Sequence, residues 1–227
     1  MQVEVAADEA AAARRAAEVI AAAAHAAVRA RGRFCVAVSG GRTPWRMLRV
    51  LAALPLPWPQ LQLFQVDERV VPAGDAARNL TQIALALLAH APLPAAQVHA
   101  MPVEAADLDA AARAYARLLA AHAGAPPVLD LVHLGLGADG HTASLLPGDP
   151  VLQVGDAAVA VTGPYQGHRR MTLTYPVLER ARCLLWLATG ADKRAMVARL
   201  RAADATIPAG RVRQACALLV TDRAAAG

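Results

Sequence analysis

The side chains best placed to do chemistry are Asp139 and His141, which flank Gly140 inside the stretch VLDLVHLGLGADGHTASLLPGD at residues 128–149. Three glycines, Gly135, Gly137 and Gly140, fall within six residues. They let the backbone take positive φ and pass close to a ligand. Imidazole changes charge near neutral pH, so a histidine held at the tip of such a turn suits general base work. The other histidines, at 25, 90, 99, 122, 133 and 168, fall on expected helices, strands or a loop with less glycine. His133 lies in the apolar run before the glycines and reads as a core residue. The glycine spacing also matches the dinucleotide fingerprint G-x-G-x-x-G. That match is weak: Pro147 and Pro150 leave room for only about two helical turns after His141, and the motif lies past the middle of the chain rather than in a first strand–helix unit.

Three further stretches carry candidate groups. In 39–43, Ser39, Gly40, Gly41 and Thr43 follow an apolar run and precede Pro44. Thr43 is a suitable N-cap and Pro44 a suitable first helical residue. Backbone N–H groups and the helix dipole there would attract phosphate; an ordinary strand–helix turn is the alternative. Asp67, Glu68 and Arg69 put three charges directly after another apolar run, either as site groups or as a solvated loop with internal pairing. Lys193 is the one lysine among 23 basic residues. It sits at the mouth of an expected helix, where a compact cation could meet a phosphate. Ser39 and Ser144 are the only serines, and neither stands in a G-x-S-x-G elbow. Water is therefore the expected nucleophile.

Elements must bring these groups together. Hydrophobic residues make up 56% of the 227 positions with only 4% aromatic, because alanine dominates. Alanine favours helix, so the core is expected to be built mainly from Leu and Val. Helices are expected over 6–30, 44–53, 78–90, 105–123 and 193–201, with a helical turn at 176–180. Strands are expected over 34–38, 61–66, 98–101, 128–134, 157–161, 171–174, 183–188 and 217–220, with 67–72 as a loop. Alternation of this kind predicts a single α/β domain over 1–227, a three-layer αβα sandwich around a mostly parallel, Rossmann-like sheet. In a parallel sheet the loops after strands collect at the carboxyl edge, where ligands bind. Loops 39–43, 67–72, 135–144 and 190–193 are thus expected to meet in one site.

The net charge of +5 comes from scattered arginines, with no basic run interleaved with aromatics. Nucleic-acid binding has little support, and a small anionic substrate fits better. Cys35, Cys183 and Cys216 show no metal spacing and are expected to be reduced, in a cytoplasmic protein. Glu4, Asp8 and Glu9 do not suit a signal peptide, and no uncharged apolar run approaches the ~20 residues of a membrane span. The expected assembly is a monomer or a small homo-oligomer, with no nucleic-acid or membrane partner.

Taken together, SGGRTP (39–44), VDERVVP (66–72), LGLGADGHTASLLPG (134–148), RRMTLTYPVLERAR (169–182) and TGADK (189–193) resemble the 6-phosphogluconolactonase family over about residues 34–222. The resemblance implies hydrolysis of 6-phospho-D-glucono-1,5-lactone to 6-phosphogluconate, in the oxidative pentose phosphate pathway, without a cofactor or metal. Ser39, Gly40, Gly41, Thr43, Gly137 and Lys193 would then bind substrate, with Arg69 and Arg170 helping, and His141 would deprotonate water. Either Asp139 or Asp67 would orient the imidazole. Related glucosamine-6-phosphate deaminases share the D-G-H turn but place a glutamate five residues after its histidine, where this chain has Leu146. That loss disfavours ring-opening chemistry. A sugar-phosphate isomerase or deaminase, and a non-catalytic sugar-phosphate or nucleotide binder, are the remaining alternatives. Leu146 in place of a common Phe, and LLVTD (218–222) without an aromatic, are departures expected to affect packing only.

Overall fold

A computed structural model describes residues 1–227. The chain begins with β1 (Gln2–Ala6), α1 (Glu9–Arg31), β2 (Phe34–Val38), α2 (Arg42–Ala52), β3 (Leu61–Gln65) and β4 (Asp67–Arg69). It continues through α3 (Asn79–Ile83), β5 (Val98–His99), α4 (Leu108–Ala123), β6 (Leu131–Leu134), β7 (Val159–Val161) and β8 (Arg170–Leu173). The last elements are α5 (Tyr175–Arg180), β9 (Leu184–Ala188), α6 (Arg194–Arg201), β10 (Ala217–Asp222) and α7 (Arg223–Ala226).

Seven strands form a sheet in the order β1-β10-β9-β6-β2-β3-β5, every pair parallel. The chain winds outward from β2 through β3 to β5 on one side and from β6 through β9 to β10 on the other, where the N-terminal β1 adds the edge strand. The switch in direction falls between β2 and β6, and ligands bind at the carboxyl ends of strands beside such a point. Loops 39–43 and 135–144 both leave the sheet there.

Helices cover both faces. One core cluster gathers α1, α2 and the outward side chains Phe34, Val36 and Val38. The other joins Cys35, Ala37 and Phe64 to Tyr115 and Leu119 of α4 and to Met171 and Leu173 of β8. The expectation of a Leu/Val core holds for the strands but not for α1. Six of its seven buried positions are alanine, with Ile20 the exception. Small side chains let this helix lie close to the sheet.

The boundaries moved where a side chain captured a backbone group. Asp8 accepts from the Ala11 N–H at 2.8 Å, so α1 starts after it and leaves Gln2–Ala6 free to pair with β10. That edge strand has no counterpart in the sequence reading. Asp107 accepts from Ala110 in the same way, so α4 begins at Leu108 rather than 105. The Asp130 carboxylate accepts from the Cys35 N–H at 2.8 Å and pairs with Arg31 at 2.7 Å. The expected strand over 128–134 is accordingly confined to Leu131–Leu134. No helix follows His141: Thr142 and Leu145 bridge instead, and Ala143 has φ 51°.

The largest correction concerns 67–72, expected as a loop. Asp67–Arg69 is a strand, antiparallel to β8, in a second sheet ordered β4-β8-β7. Val66 joins the two sheets, donating to Val38 at 3.0 Å and accepting from Leu173 at 2.8 Å. The strands expected at 157–161 and 171–174 exist but belong to this small antiparallel sheet, so β4 carries its charges on paired backbone rather than on a free loop.

Candidate active site

The four glycine-rich or polar segments converge. A cavity of about 500 Å³ at the carboxyl edge of the large sheet is lined by 39–44, Asp67, Arg69, the glycine turn, Thr189, Asp192 and Lys193. Asn79, Tyr165, Gln166 and Arg170 complete its wall. Every residue expected to bind substrate or act in catalysis borders this cavity; of the charged trio at 67–69, Glu68 does not.

The glycine turn is built around His141. The Gly137 N–H donates to the His141 carbonyl at 2.8 Å, and Gly140 donates back to Gly137 at 3.1 Å. A Cβ on Gly137 would overlap both the His141 ring and the Asp139 carboxylate, so only glycine permits this packing. Asp139 Oδ1 accepts from His141 Nδ1 at 2.6 Å and from the His141 N–H at 3.2 Å. Burial alone would raise the Asp139 carboxyl, but His141 and the Tyr165 hydroxyl outweigh it and hold the group below the ordinary carboxylate range. An ionised carboxylate can only accept, so Nδ1 carries a proton, and in the neutral ring the lone pair is on Nε2.

Of the two candidate partners, only Asp139 contacts the His141 ring. Asp67 touches other partners: its Oδ2 accepts from Ser144 Oγ at 2.6 Å and its Oδ1 from Asn79 Nδ2 at 3.3 Å. Asp67 is buried yet borders the cavity. Glu68 points away from it. Its carboxylate accepts from the N–H groups of Arg69, Asn79 and Leu80 and from Gln65 Nε2, pinning β4 to the start of α3. Burial raises its pKa, against those hydrogen bonds. The expected pairing of Arg69 with Asp67 or Glu68 does not form; Arg78 approaches Glu68 at 3.9 Å instead.

The segment expected to cradle phosphate differs in detail. Thr43 is not the N-cap of α2; Gly41 occupies that position without a side-chain bond. Thr43 Oγ1 instead lies 3.0 Å from Glu9 and 2.8 Å from Thr189, linking α1 and α2 to the residue that follows β9. Ser39 Oγ donates to the His133 carbonyl at 3.0 Å, and the Ser39 N–H meets His133 Nδ1 at 3.3 Å. His133 is wholly buried, and burial pushes it down to about 3, so it is a neutral structural acceptor. The core assignment of His133 holds.

Four cations border the cavity: Arg42, Arg69, Arg170 and Lys193. Arg69 donates to the Ala77 carbonyl at 2.6 Å. Arg170 is 4% exposed, its Nε has no partner, and burial lowers its pKa despite attraction from Asp67. Lys193 Nζ lies 3.6 Å from Asp192. No group of three or more His, Cys, Asp or Glu side chains is placed to hold a metal ion.

The sequence reading missed Asn79, Tyr165, Gln166 and Thr189. Asn79 carries no motif signal, and Thr189 opens the TGADK stretch but does not stand out within it. The Gln166-Gly167 pair was a turn signal, but nothing local says where that turn points.

A doubly wound sheet with a basic pocket at its switch point, fronted by a carboxylate–imidazole pair, defines an α/β protein that handles a small anionic ligand. Residues 7–220 match the family described as glucosamine-6-phosphate isomerases/6-phosphogluconolactonase, and the chain belongs to that family. It is 41% identical over 215 residues to the 6-phosphogluconolactonase of Mycobacterium bovis, covering 88% of this chain and 87% of that one. The 6-phosphogluconolactonase structure from Trypanosoma brucei superposes with a TM-score of 0.87 at 28% identity, covering 99% of this chain and 97% of that one. A monomeric glucosamine-6-phosphate deaminase reaches the same TM-score of 0.87 at 18% identity, with 100% and 99% coverage, a likeness of fold alone. No helix is long and apolar enough to cross a membrane.

Proposed function

We propose that this chain, acting as one unit over residues 1–227, hydrolyses 6-phospho-D-glucono-1,5-lactone to 6-phosphogluconate, the lactone step of the oxidative pentose phosphate pathway. The observation that carries the reading is the Asp139–His141 pair, with Nε2 left as a base, on a cavity also bordered by Arg69, Arg170 and Lys193. The relative with the widest sequence match described above is itself a 6-phosphogluconolactonase. Leu146 is buried and does not border the cavity, so the position where deaminases carry an assisting glutamate offers no acid here.

In the proposed reaction the phosphate sits against the 39–43 backbone and Lys193, with Arg69 and Arg170 adding charge. His141 Nε2 takes a proton from water as its oxygen attacks the lactone carbonyl. The oxyanion that forms is stabilised by nearby cations and backbone N–H groups. The imidazolium, supported by Asp139, then gives its proton to the ring oxygen as the carbon–oxygen bond breaks, and the open hydroxy acid leaves. The scheme uses neither metal nor cofactor. A cytoplasmic setting, and a monomer or small homo-oligomer, belong to the same proposal; the three cysteines are unpaired, which suits a reducing compartment.

The test generates the lactone in situ from glucose 6-phosphate and follows its loss by ³¹P NMR. Native protein should accelerate loss well above the spontaneous rate. No acceleration, or ammonia release from glucosamine 6-phosphate, would overturn the reading.

A further inference from the structure

A two-residue hairpin stands over the rim of the cavity, and the scheme above makes no use of it. The Tyr165 N–H donates to the His168 carbonyl at 2.9 Å, and the His168 N–H returns to Tyr165 at 3.2 Å. Between them Gln166 and Gly167 have φ of 51° and 84°. Two successive left-handed residues make the type I′ turn, whose twist suits a tight hairpin. Tyr165 is therefore presented from a constrained element rather than from a loose loop. Three contacts converge on it. Its hydroxyl donates to Asp139 Oδ2 at 2.8 Å. Its ring meets the His141 ring edge-on, with centroids 5.7 Å apart. The Arg170 guanidinium lies over its face, 4.9 Å from the centroid.

We propose that Tyr165 is a positioning residue for the Asp139–His141 pair, holding one carboxylate oxygen so that the other stays on Nδ1. The inference rests on the reading of this pair as the general base of lactone hydrolysis. Two physical effects follow from the hydroxyl. It restricts rotation of a carboxylate that sits at a half-exposed rim, and so fixes the imidazole tautomer. It also draws charge from the carboxylate, which weakens the hold of Asp139 on an imidazolium. The other charged groups around the pair are Arg42 at the start of α2, Arg170 on β8, Asp67 and Arg69 on β4, and Lys193 with Asp192 before α6; none of these contacts Asp139 through a hydrogen bond.

The test is Tyr165→Phe, which keeps the ring over Arg170 and beside His141 and removes only the hydroxyl. The plateau kcat should fall ~3–10-fold, the scale of one hydrogen bond, with KM changed less than about twofold because Tyr165 is not assigned to the phosphate. The acid limb of the kcat/KM profile should move to higher pH, since the freed carboxylate favours the protonated pair. A purely structural role would lower the thermal midpoint without moving that limb. A second readout needs no substrate: ring ¹⁵N spectra of ligand-free protein should show His141 as the Nδ1–H tautomer in the native chain and a growing Nε2–H fraction in Y165F. An unchanged acid limb together with an unchanged tautomer would overturn the proposal. If the native chain fails to hydrolyse the lactone, the functional reading falls while the tautomer comparison still decides the role of Tyr165.

Discussion

Asp139 and His141 meet across Gly140 with Oδ1 and Nδ1 2.6 Å apart, a carboxylate–imidazole contact closed within three residues of one turn. Because the carboxylate accepts at Nδ1, the opposite nitrogen is the one that serves as base in the proposed scheme. In that scheme the negative charge matters twice: it selects the tautomer, and it would stabilise the imidazolium formed when water gives up its proton. Asp139→Asn keeps the size and removes the charge. We expect kcat to fall ~10²-fold or more, on the scale of losing a preorganised electrostatic partner, with little change in thermal midpoint because the residue lies at the rim. Steady-state kinetics and a melting curve on the same preparation check both halves.

Gly137 supports the same pair from behind. A methyl group there would overlap the imidazole and the Asp139 carboxylate. Gly137→Ala should therefore cost ~10²-fold or more in kcat, by displacing the base. The thermal midpoint should move by only a few degrees. A variant with native turnover would show that the turn tolerates the methyl and that the pair is less constrained than its contacts indicate.

Lys193 tests the phosphate end of the cavity. Its nearest carboxylate partner, Asp192, is 3.6 Å away, too long for a tight pair, which leaves the ammonium free for an anionic ligand. Lys193→Ala should raise KM ~10–100-fold, the scale of one charged hydrogen bond, and leave kcat within a few-fold. An unchanged KM would remove Lys193 from substrate binding.

A pH effect on stability originates far from the site. His99 stacks on Phe64 at 4.5 Å and on His122 at 4.4 Å between ring centroids. Burial, with a smaller contribution from His122, pushes its pKa down to about 4. The folded chain thus keeps this ring neutral where an unfolded one, with an ordinary value near ~6.5, takes up a proton. The contribution to stability is complete above about 6.5 and is lost progressively as pH falls toward 4. His133, pushed down to about 3, extends the loss to lower pH. His99→Phe should flatten the fall in thermal midpoint between those limits, as measured by calorimetry. Parallel curves for the two proteins would contradict this account.

Much of this arrangement was legible in the residues. The strand Phe34–Val38 falls where its apolar run predicts, and the four segments expected to meet at the carboxyl edge do meet, because both follow from local hydrophobicity and from parallel-sheet geometry. What escaped was long-range or hidden by composition. Asp67–Arg69 looks like a loop because it is charged, yet it pairs with β8 about a hundred residues on, a partner no local pattern names. β1 alternates exposed polar residues with valine at a sheet edge and offers little burial to detect. Thr43 has the residue type of an N-cap, but Glu9 and Thr189 compete for its hydroxyl. Asp67 and Asp139 were indistinguishable as partners of His141 until Ser144 and Asn79 were seen to occupy the former. Tyr165 depends on a hairpin whose direction only the folded chain fixes.

The most direct measurement is the turnover of in situ-generated 6-phosphogluconolactone by native protein and by His141→Ala at saturating substrate. The account predicts a kcat lowered ~10²–10⁴-fold by loss of the general base, with KM nearly unchanged and the fold retained. Equal turnover by the two proteins would contradict it.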